Sequence, residues 1–406
     1  MTEAKDSVAG TQGATGNAPR IPRTVWALGL VSLFMDLSSE TVHALLPLFL
    51  TATLGVSVAM VGLIDGVAEA TASIAKVFSG YLSDRLGKRK PLILIGYSLG
   101  ALSKPVFALA GSASVVMGAR LADRMGKGLR GAPRDALVAD VTPPEIRGRA
   151  FGLRQSLDTI GAFAGPLLAI GLMVLFANDM RMVFWVAVIP ALLAVACVVS
   201  GVEDAAVPDD KAVRPPVRLS DLKRLPRGFW GVVWIGVIFT LARFSEAFLI
   251  LKASAEGLPL ALAPLVLVAM NVVYALGAYP AGGLSDRVSA RVLLSWGLVC
   301  LILADLALAL LPGIGGAFLG IALWGAHMAL TQGLLAKLVA DHAPAHLRGS
   351  AFGVFNLATG VALLFASVIA GLLWDRAGPD ATFLMGAVFA VLALVLVAAT
   401  KVVSRR

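Results

Sequence analysis

The 406-residue sequence is too apolar for a water-soluble globular protein, since 58% of its residues are hydrophobic and only 15% are charged, whereas soluble domains carry about 25% charged residues. Its net charge of +9 would suit a nucleic-acid partner, but the basic residues cluster at the ends of apolar segments, as in membrane proteins. We therefore expect a lipid bilayer as the solvent and no nucleic acid as a partner.

Twelve apolar segments are each long enough to cross a bilayer as an α-helix, which requires roughly 18 residues or more. The first six segments cover residues 25–53, 57–81, 91–110, 114–139, 150–176 and 181–201. The second six cover residues 228–251, 259–284, 291–312, 316–340, 350–374 and 381–402. The pattern predicts an all-α membrane protein with twelve transmembrane helices.

Polar segments divide the chain into units. Residues 1–22 are rich in Gly, Ala, Thr and Asn, and we expect a flexible cytoplasmic tail there with no signal peptide. Residues 202–227 hold four Pro and mixed charges, which predicts a cytoplasmic linker between six-helix bundles at 23–201 and 228–402, with a short tail at 403–406. Basic residues crowd the alternate loops on one side, so the positive-inside rule predicts the cytoplasmic (inner) membrane with both termini in the cytoplasm.

Two sequence motifs occur once in each half of the chain. The first begins at Gly80 and returns at Gly283, and in each copy a Ser-Asp-Arg triplet follows. The second begins at Val138 and returns at Val339, and its two copies share Val-Ala-Asp and a later Arg-Gly-x-Ala-Phe-Gly. Such a repeat predicts two pseudo-symmetric bundles, with the substrate site between them near the middle of the membrane.

Charged or titratable residues lie inside the first, fourth, seventh and tenth segments, and the fourth alone holds seven charged residues. A charge at the centre of a membrane span costs about 2.5 to 3.5 kcal/mol on insertion scales, so each needs a polar environment. We expect these four spans to line a water-filled path and the third, sixth, ninth and twelfth to face lipid. The interiors of the third and ninth spans hold one charge each, Lys104 and Asp305.

Basic residues of the fourth span recur every three or four positions and therefore share one side of a helix. They are Arg120, Arg124, Lys127, Arg130 and Arg134. Two interpretations stay open: the stripe binds an anionic substrate, or carboxylates such as Asp123, Asp135 and Asp158 neutralise it. The residues that we expect to bind substrate are Arg120, Arg124, Lys127, Arg130, Arg243 and His327.

Carboxyl groups of the first and seventh spans are candidates for proton coupling, because burial favours the neutral form of a carboxyl group and a nearby cation favours the charged form. They are Asp36, Glu40 and Glu246, with Asp65 and Glu69 of the second span behind them. The alternative for Glu246 is a permanent ion pair with Arg243. We expect no metal site, since Pro344 interrupts the helix that would align His342 and His346, and no cofactor.

The assembled motifs resemble the major facilitator superfamily from the first span to the twelfth. Gly80-x-x-x-Asp84-Arg85-x-Gly87-Lys88-Arg89 resembles the family's signature between spans two and three, and Gly283-x-x-Asp286-Arg287 is a weaker second copy. Arg124-x-x-Lys127-Gly128-x-Arg130-Gly131 resembles the fourth-span signature, whose Arg the family's proton antiporters need. Gly161-x-x-x-Gly165-Pro166 resembles the fifth-span signature of exporters, although the later paired glycines are absent.

The resemblance implies roles for these residues. Gly161, Gly165 and Pro166 would pack helices together. Asp84 and Asp286 would each latch onto the start of a helix in the other half and so close the cytoplasmic gate, where they would act beside a helix dipole. By the same resemblance Arg85 and Arg287 would pair with Asp140 and Asp341, respectively.

The sequence therefore predicts a monomeric, proton-coupled secondary active transporter that exports a small organic molecule by alternating access. The basic stripe favours an anionic substrate over a lipophilic cation. One alternative is a proton symporter that imports an organic anion or a metal chelate, and a remote one is a non-transporting membrane receptor. We do not expect an enzyme, because the spacings of a catalytic Ser, His and Asp set or of a metal site are missing.

Overall fold

The computed structural model describes residues 20–204, 224–285, 288–331, 334–344 and 347–399. All regular secondary structure within these ranges is helical. The predicted tails, most of the predicted linker, and Asp286 and Arg287 lie outside the described residues.

The first half contributes six spans, numbered here by their order in the chain. They are α1a (Arg23–His43) with α1b (Leu46–Leu48) and a π-helical turn (Phe49–Thr53), α2 (Val58–Leu86), α3 (Lys90–Leu109), α4 (Ala113–Val141), α5 (Arg147–Leu175) and α6 (Met180–Gly201). A 3₁₀ turn (Pro144–Ile146) connects α4 to α5.

The second half contributes the other six spans. They are α7a (Arg227–Ala242) with α7b (Ala247–Ala255), α8 (Leu265–Ser285), α9 (Ala290–Leu310), α10 (Gly313–Thr331 and Leu334–His342), α11 (Arg348–Ala377) and α12 (Pro379–Ala399). A 3₁₀ turn (Leu260–Leu262) precedes α8.

Eleven of these spans are long and apolar enough to cross a membrane by composition alone. The remaining span is α4, whose seven charged residues between 120 and 135 lower its hydropathy. It packs against both α2 and α3, so its position inside the bundle, and not its composition, identifies it as a membrane helix. The predicted set of twelve helices is confirmed.

Helix packing produces two bundles. In the first, α1a packs on α5 and α6 while α4 packs on α2 and α3; in the second, α9 packs on α10 and α12 while α7a packs on α11 and α12. The most extensive contact between the bundles joins α2 to α11, and α5 meets α8 on the other side. The predicted architecture of two pseudo-symmetric six-helix bundles is therefore confirmed.

The α2–α11 seam is closed tightly at the end of the molecule opposite to the start of α1a. The backbone of Gly371 lies so close to that of Ala59 that an added Cβ would stand 2.6 Å from the Ala59 Cα. One turn further along α11, Asp375 accepts hydrogen bonds from the backbone N–H groups of Val58 (3.0 Å) and Ala59 (2.8 Å). The carboxylate thus caps the first turn of α2, where the helix dipole favours a negative charge.

Two spans are interrupted near the middle of the molecule. The first span breaks after His43 and resumes at Leu46, next to Pro47, which cannot donate a helical hydrogen bond. The seventh span, which the sequence predicted as one continuous helix over 228–251, instead unwinds from Arg243 to Glu246. The Ser245 hydroxyl accepts a hydrogen bond from the Ala247 N–H (3.2 Å), so a side chain replaces the lost helical bond at the start of α7b.

The interface between α1a and α5 depends on small residues. Gly161 faces the backbone carbonyl of Leu33, and an added Cβ at Gly165 would stand 2.7 Å from the Glu40 Cβ. The Thr41 hydroxyl donates a hydrogen bond to the Gly165 carbonyl (3.1 Å). This close approach fixes the position of Glu40 along the interface between α1a and α5.

Replacing Gly161 with Ala is expected to destabilise the first bundle by about 1 to 3 kcal/mol, because the added methyl group overlaps the Leu33 backbone. Thermal unfolding in detergent measures the effect. Gly171→Ala is the matched control on the same helix, since nothing lies within 4 Å of a Cβ at that position. Equal melting temperatures for the two variants would show that the α1a–α5 approach is looser than described.

Candidate functional site

A cavity of about 510 Å³ lies between the two bundles at the level of the two interrupted spans. We call it the central cavity. Helices α1a, α2, α4, α7a, α10 and α11 contribute its walls, and the α7 break contributes four successive residues. Its lining residues are Glu40, His43, Asp65, Glu69, Ser73, Arg120, Arg124, Lys127, Phe239, Thr240, Arg243, Phe244, Ser245, Glu246, Leu335, Phe355, Thr359, Gly360, Leu363 and Ser367.

Charges of both signs line the central cavity in equal number. The basic side chains are Arg120, Arg124, Lys127 and Arg243, and the acidic ones are Glu40, Asp65, Glu69 and Glu246. The predicted grouping of charges around a path between the bundles agrees with this geometry. The cavity is not uniformly basic, because the carboxylates of α1a, α2 and α7 offset the cations of α4.

Arg120 takes part in a series of polar contacts that connects the two bundles. Its guanidinium lies 3.2 Å from Asp65 Oδ1, and both side chains are almost completely buried. The other oxygen of Asp65 accepts a hydrogen bond of 2.7 Å from the Ser245 hydroxyl on the α7 break. Asp65 therefore neutralises a cation of the first bundle and holds the second bundle at the same time.

Arg124 and Lys104 form a second buried network. The Arg124 Nε lies 3.1 Å from Glu69 and 3.9 Å from Asp123, while Lys104 Nζ lies 2.8 Å from Asp123 and 3.0 Å from the Ser39 hydroxyl. Lys104 is 1% exposed. Lys104 of the third span therefore points towards α4. Apolar side chains such as Leu102 occupy the exposed side of the third span.

The basic stripe of α4 divides into members with different environments. Lys127 is exposed to the central cavity and, among the residues that the structure describes, has no carboxylate within 4.0 Å. Arg130 is buried outside the cavity and lies over the ring of Tyr97, 4.5 Å from its centroid. Arg134 bonds with Asp135 (3.1 Å) and approaches Asp158 (3.7 Å). Internal neutralisation therefore accounts for most of the stripe, and Lys127 is its open member.

The three expected proton carriers occupy two locations. Glu40 and Glu246 line the central cavity, 3.5 Å from His43 and 3.7 Å from Arg243 respectively. Asp36 lies outside that lining and near Asp158 of α5.

His327, an expected substrate ligand, does not line the central cavity. Its ring is completely buried on α10, with Nδ1 2.8 Å from the Gly297 carbonyl and the ring stacked on Phe239 at 5.2 Å. The sequence reasoning missed His43, Phe244 and Ser245 as cavity residues. Only the spacing of His43 from Glu40 gave a signal, since residues three apart meet on a helix.

The structure describes some of the residues that were expected to form the gate. Asp140 bonds with Arg89 at 2.6 Å, so the expectation that Asp140 pairs with Arg85 was wrong. Gly87 adopts a left-handed conformation (φ 62°) that turns the chain and directs Arg89 towards the end of α4, while Arg85 is exposed. Asp341 is also exposed. The Asp84 side chain, Asp286 and Arg287 lie outside the described residues.

Metal ligands are not grouped in the described ranges: no cluster of three or more His, Cys, Asp or Glu side chains is arranged to hold an ion there. Cys197 and Cys300 are both free thiols. The chemistry of the central cavity is therefore that of ion pairs, hydroxyl groups and aromatic rings.

Comparison with known proteins identifies relatives over most of the chain. A sequence model of the Major Facilitator Superfamily matches residues 28–363 and 247–406. An uncharacterised MFS-type transporter of Methanocaldococcus jannaschii is 30% identical over 382 residues, 93% of this chain and 94% of the relative. The multidrug resistance protein MdtH of Cronobacter sakazakii is 34% identical over 168 residues, 41% of this chain and 40% of that protein. The crystal structure of a peptide transporter, POT, in complex with sulfate matches with a TM-score of 0.78 at 14% identity, over 97% of this chain and 96% of that one.

The Lys104–Asp123 pair predicts non-additive mutational effects. Lys104→Met is expected to destabilise the fold by about 3 to 5 kcal/mol, because it leaves a buried carboxylate short of a partner. The double variant Lys104→Met/Asp123→Leu is expected to lose much less than the sum of the single losses. Thermal unfolding of the four proteins in detergent measures the coupling.

Asp380→Asn serves as the control for that series. Asp380 also pairs with a lysine, Lys252, but its side chain is 60% exposed, so its loss is expected to change stability by at most about 1 kcal/mol. Strictly additive losses at Lys104 and Asp123 would contradict the buried pair.

Proposed function

Because this chain belongs to the major facilitator superfamily, we propose that it is a proton-coupled secondary active transporter that exports a small organic anion by alternating access. The proposed location is the cytoplasmic membrane, with both termini in the cytoplasm, and the proposed functional unit is a monomer. The central cavity, which lies between the bundles and near the middle of the spans, is the proposed substrate site.

The proposal that the substrate is an anion is supported mainly by the environment of Lys127. Every other cation of the lining is within 4.0 Å of a carboxylate, whereas Lys127 is open to the cavity with no such partner among the described residues. A substrate carboxylate or phosphate would supply the missing charge. Phe239, Phe244 and Phe355 supply apolar surface for the remainder of an organic molecule.

Alternating access follows from the contacts between the bundles. The α2–α11 seam and its Asp375 cap close the end opposite to the start of α1a, which under the proposed orientation is the extracytoplasmic end. The conformation is then closed to the outside. Opening that end requires loss of the Asp375 bonds and of the Ser245–Asp65 bond. When these bonds are lost, we propose that Asp84 and Asp286 act as latches that close the cytoplasmic end.

Proton coupling is proposed to use carboxyl groups that exchange partners in this cycle. Glu40 and Glu246 each have one weak partner in the cavity, at 3.5 and 3.7 Å, and Asp36 lies near Asp158. A carboxyl group that loses a cationic neighbour takes up a proton, and one that gains such a neighbour releases it. Substrate anions compete for the cations and thereby link binding to proton movement.

Export is favoured over import by the partial similarity to MdtH, a multidrug resistance protein, and by the Gly161 to Pro166 motif of α5. The second candidate is a proton symporter that imports an organic anion through the same cavity. A non-transporting receptor is less consistent with the structure, because it would have no use for eight charged side chains lining a cavity at bilayer depth.

Anion selectivity is tested by transport into liposomes with an imposed pH gradient. Wild-type protein is expected to accumulate p-aminohippurate, an organic anion, in preference to ethidium, a lipophilic cation. Lys127→Gln is expected to raise KM for the anion about tenfold, since a charge-assisted hydrogen bond is lost. Lys337→Gln is the matched control, because Lys337 is exposed and outside the cavity lining. Ethidium transport that survives Lys127→Gln unchanged, without anion transport, would overturn the anionic substrate.

Proton coupling is tested separately with the amide variants Asp36→Asn, Glu40→Gln and Glu246→Gln. A variant that has lost the coupling group is expected to exchange labelled for unlabelled p-aminohippurate across the membrane while failing to concentrate it against a gradient. Asp179→Asn is the control, since Asp179 caps α6 outside the cavity. If all three amide variants concentrate the anion as the wild type does, these carboxyl groups do not carry the proton.

A further inference from the structure

A carboxyl group without a partner lies inside the second bundle. Asp305 of α9 is completely buried, and neither of its carboxyl oxygens has a hydrogen-bond partner among the described residues. An ionised carboxylate in such surroundings is strongly unfavourable, whereas a protonated carboxyl group is neutral and needs little compensation. The other charged residue of the ninth span, Arg291, lies at the start of α9, almost four helical turns from Asp305.

The surrounding helices are shaped to accept this side chain. Gly386 of α12 faces it, and an added Cβ at that position would stand 2.7 Å from Asp305 Oδ2. A larger residue at 386 would therefore displace the carboxyl group. The glycine leaves a niche that fits an acid between two tightly packed helices, α9 and α12.

The ring of Phe244 borders both this niche and the central cavity. The same added Cβ at Gly386 would stand 3.0 Å from Phe244 Cε1, so Phe244 and Asp305 border the same space. Phe244 also lines the central cavity and belongs to the unwound segment of the seventh span. Its ring rests against Trp324 and Phe383 at 5.6 Å, and no backbone hydrogen bond of a regular helix fixes its position.

We propose that Asp305 is a proton-binding site of the second bundle, and that displacement of the Phe244 ring opens it to the central cavity. In the conformation described here the carboxyl group holds its proton. When Phe244 moves, the O–H bond breaks and the proton passes to a water molecule in the cavity. The role of this proton in driving transport rests on the proposed function; the binding of the proton does not.

Few charged groups face this site. On α10, His327 bonds with the Gly297 carbonyl, about two helical turns from Asp305 along α9. On the α7 break, Arg243 and Glu246 face the cavity and lie 3.7 Å from each other. On α12, Asp380 is largely exposed and bonds with Lys252. Arg243 directly precedes Phe244 in the sequence and lines the central cavity.

Infrared spectroscopy of the full-length protein in liposomes of phosphatidylethanolamine and phosphatidylglycerol tests the site without any substrate. A protonated carboxyl group that lacks hydrogen bonds has a carbonyl band at higher wavenumber than a hydrogen-bonded acid. This band is expected at neutral pH in the wild type and in the control Asp380→Asn, and it is expected to be absent from Asp305→Asn. Identical spectra for the wild type and Asp305→Asn would overturn the proposal.

The route through Phe244 is tested by exchange of the acid proton for deuterium, which shifts the same band. Phe244→Leu is expected to speed this exchange about tenfold, because a smaller side chain opens the niche more often. Phe365→Leu is the matched control, since Phe365 is 58% exposed and distant from the cavity lining. Unchanged exchange in Phe244→Leu would overturn this route.

A transport measurement then links the site to coupling. Asp305→Asn is expected to keep exchange of p-aminohippurate and to lose its accumulation under a pH gradient. Full accumulation by this variant would overturn the role of Asp305 in coupling. If the wild type moves no p-aminohippurate, the proposed function fails, while the infrared spectra still decide whether Asp305 binds a proton.

Discussion

The fold depends on the pairing of charges in α4. Seven charged residues between positions 120 and 135 of one membrane helix would be prohibitive if they faced lipid. Their partners come from every side: Lys104 from α3, Asp65 and Glu69 from α2, and Asp158 from α5. Because each pair fixes the rotation of α4 against a neighbour, the network orients the first bundle and directs Arg120, Arg124 and Lys127 at the central cavity.

The same network connects structure to movement. Asp65 bonds with Arg120 within the first bundle and with Ser245 of the second, so the strength of one contact affects the other. An anion that approaches Arg120 weakens its hold on Asp65 and changes the bond between the bundles. The interruption of the seventh span allows this change to remain local, since residues Arg243 to Glu246 are not tied into a regular helix.

Much of the architecture was predictable, because the bilayer imposes strong constraints on sequence. Helix number and approximate bounds followed from apolar length, and the internal repeat gave the two bundles. The α7 break did not follow, since no proline marks it and its only local signal is Ser245, whose hydroxyl caps α7b. The positive charge of the cavity was also overestimated. Periodicity places cations on one face of α4, but carboxylates such as Asp65 and Glu69 come from another helix. Their contacts with those cations depend on tertiary packing.

Cysteine labelling shows directly whether the charged face of α4 borders water while its other exposed face does not. In a protein with Cys197 and Cys300 replaced by Ala, single cysteines at Lys127 and Met125 are treated with a membrane-impermeant, charged thiol reagent. Both positions are exposed, but Lys127 lines the central cavity and Met125 lines a separate apolar groove with Ile74 and Phe78. We expect rapid modification at position 127 and very slow modification at position 125. Equal rates, or faster modification at 125, would contradict it.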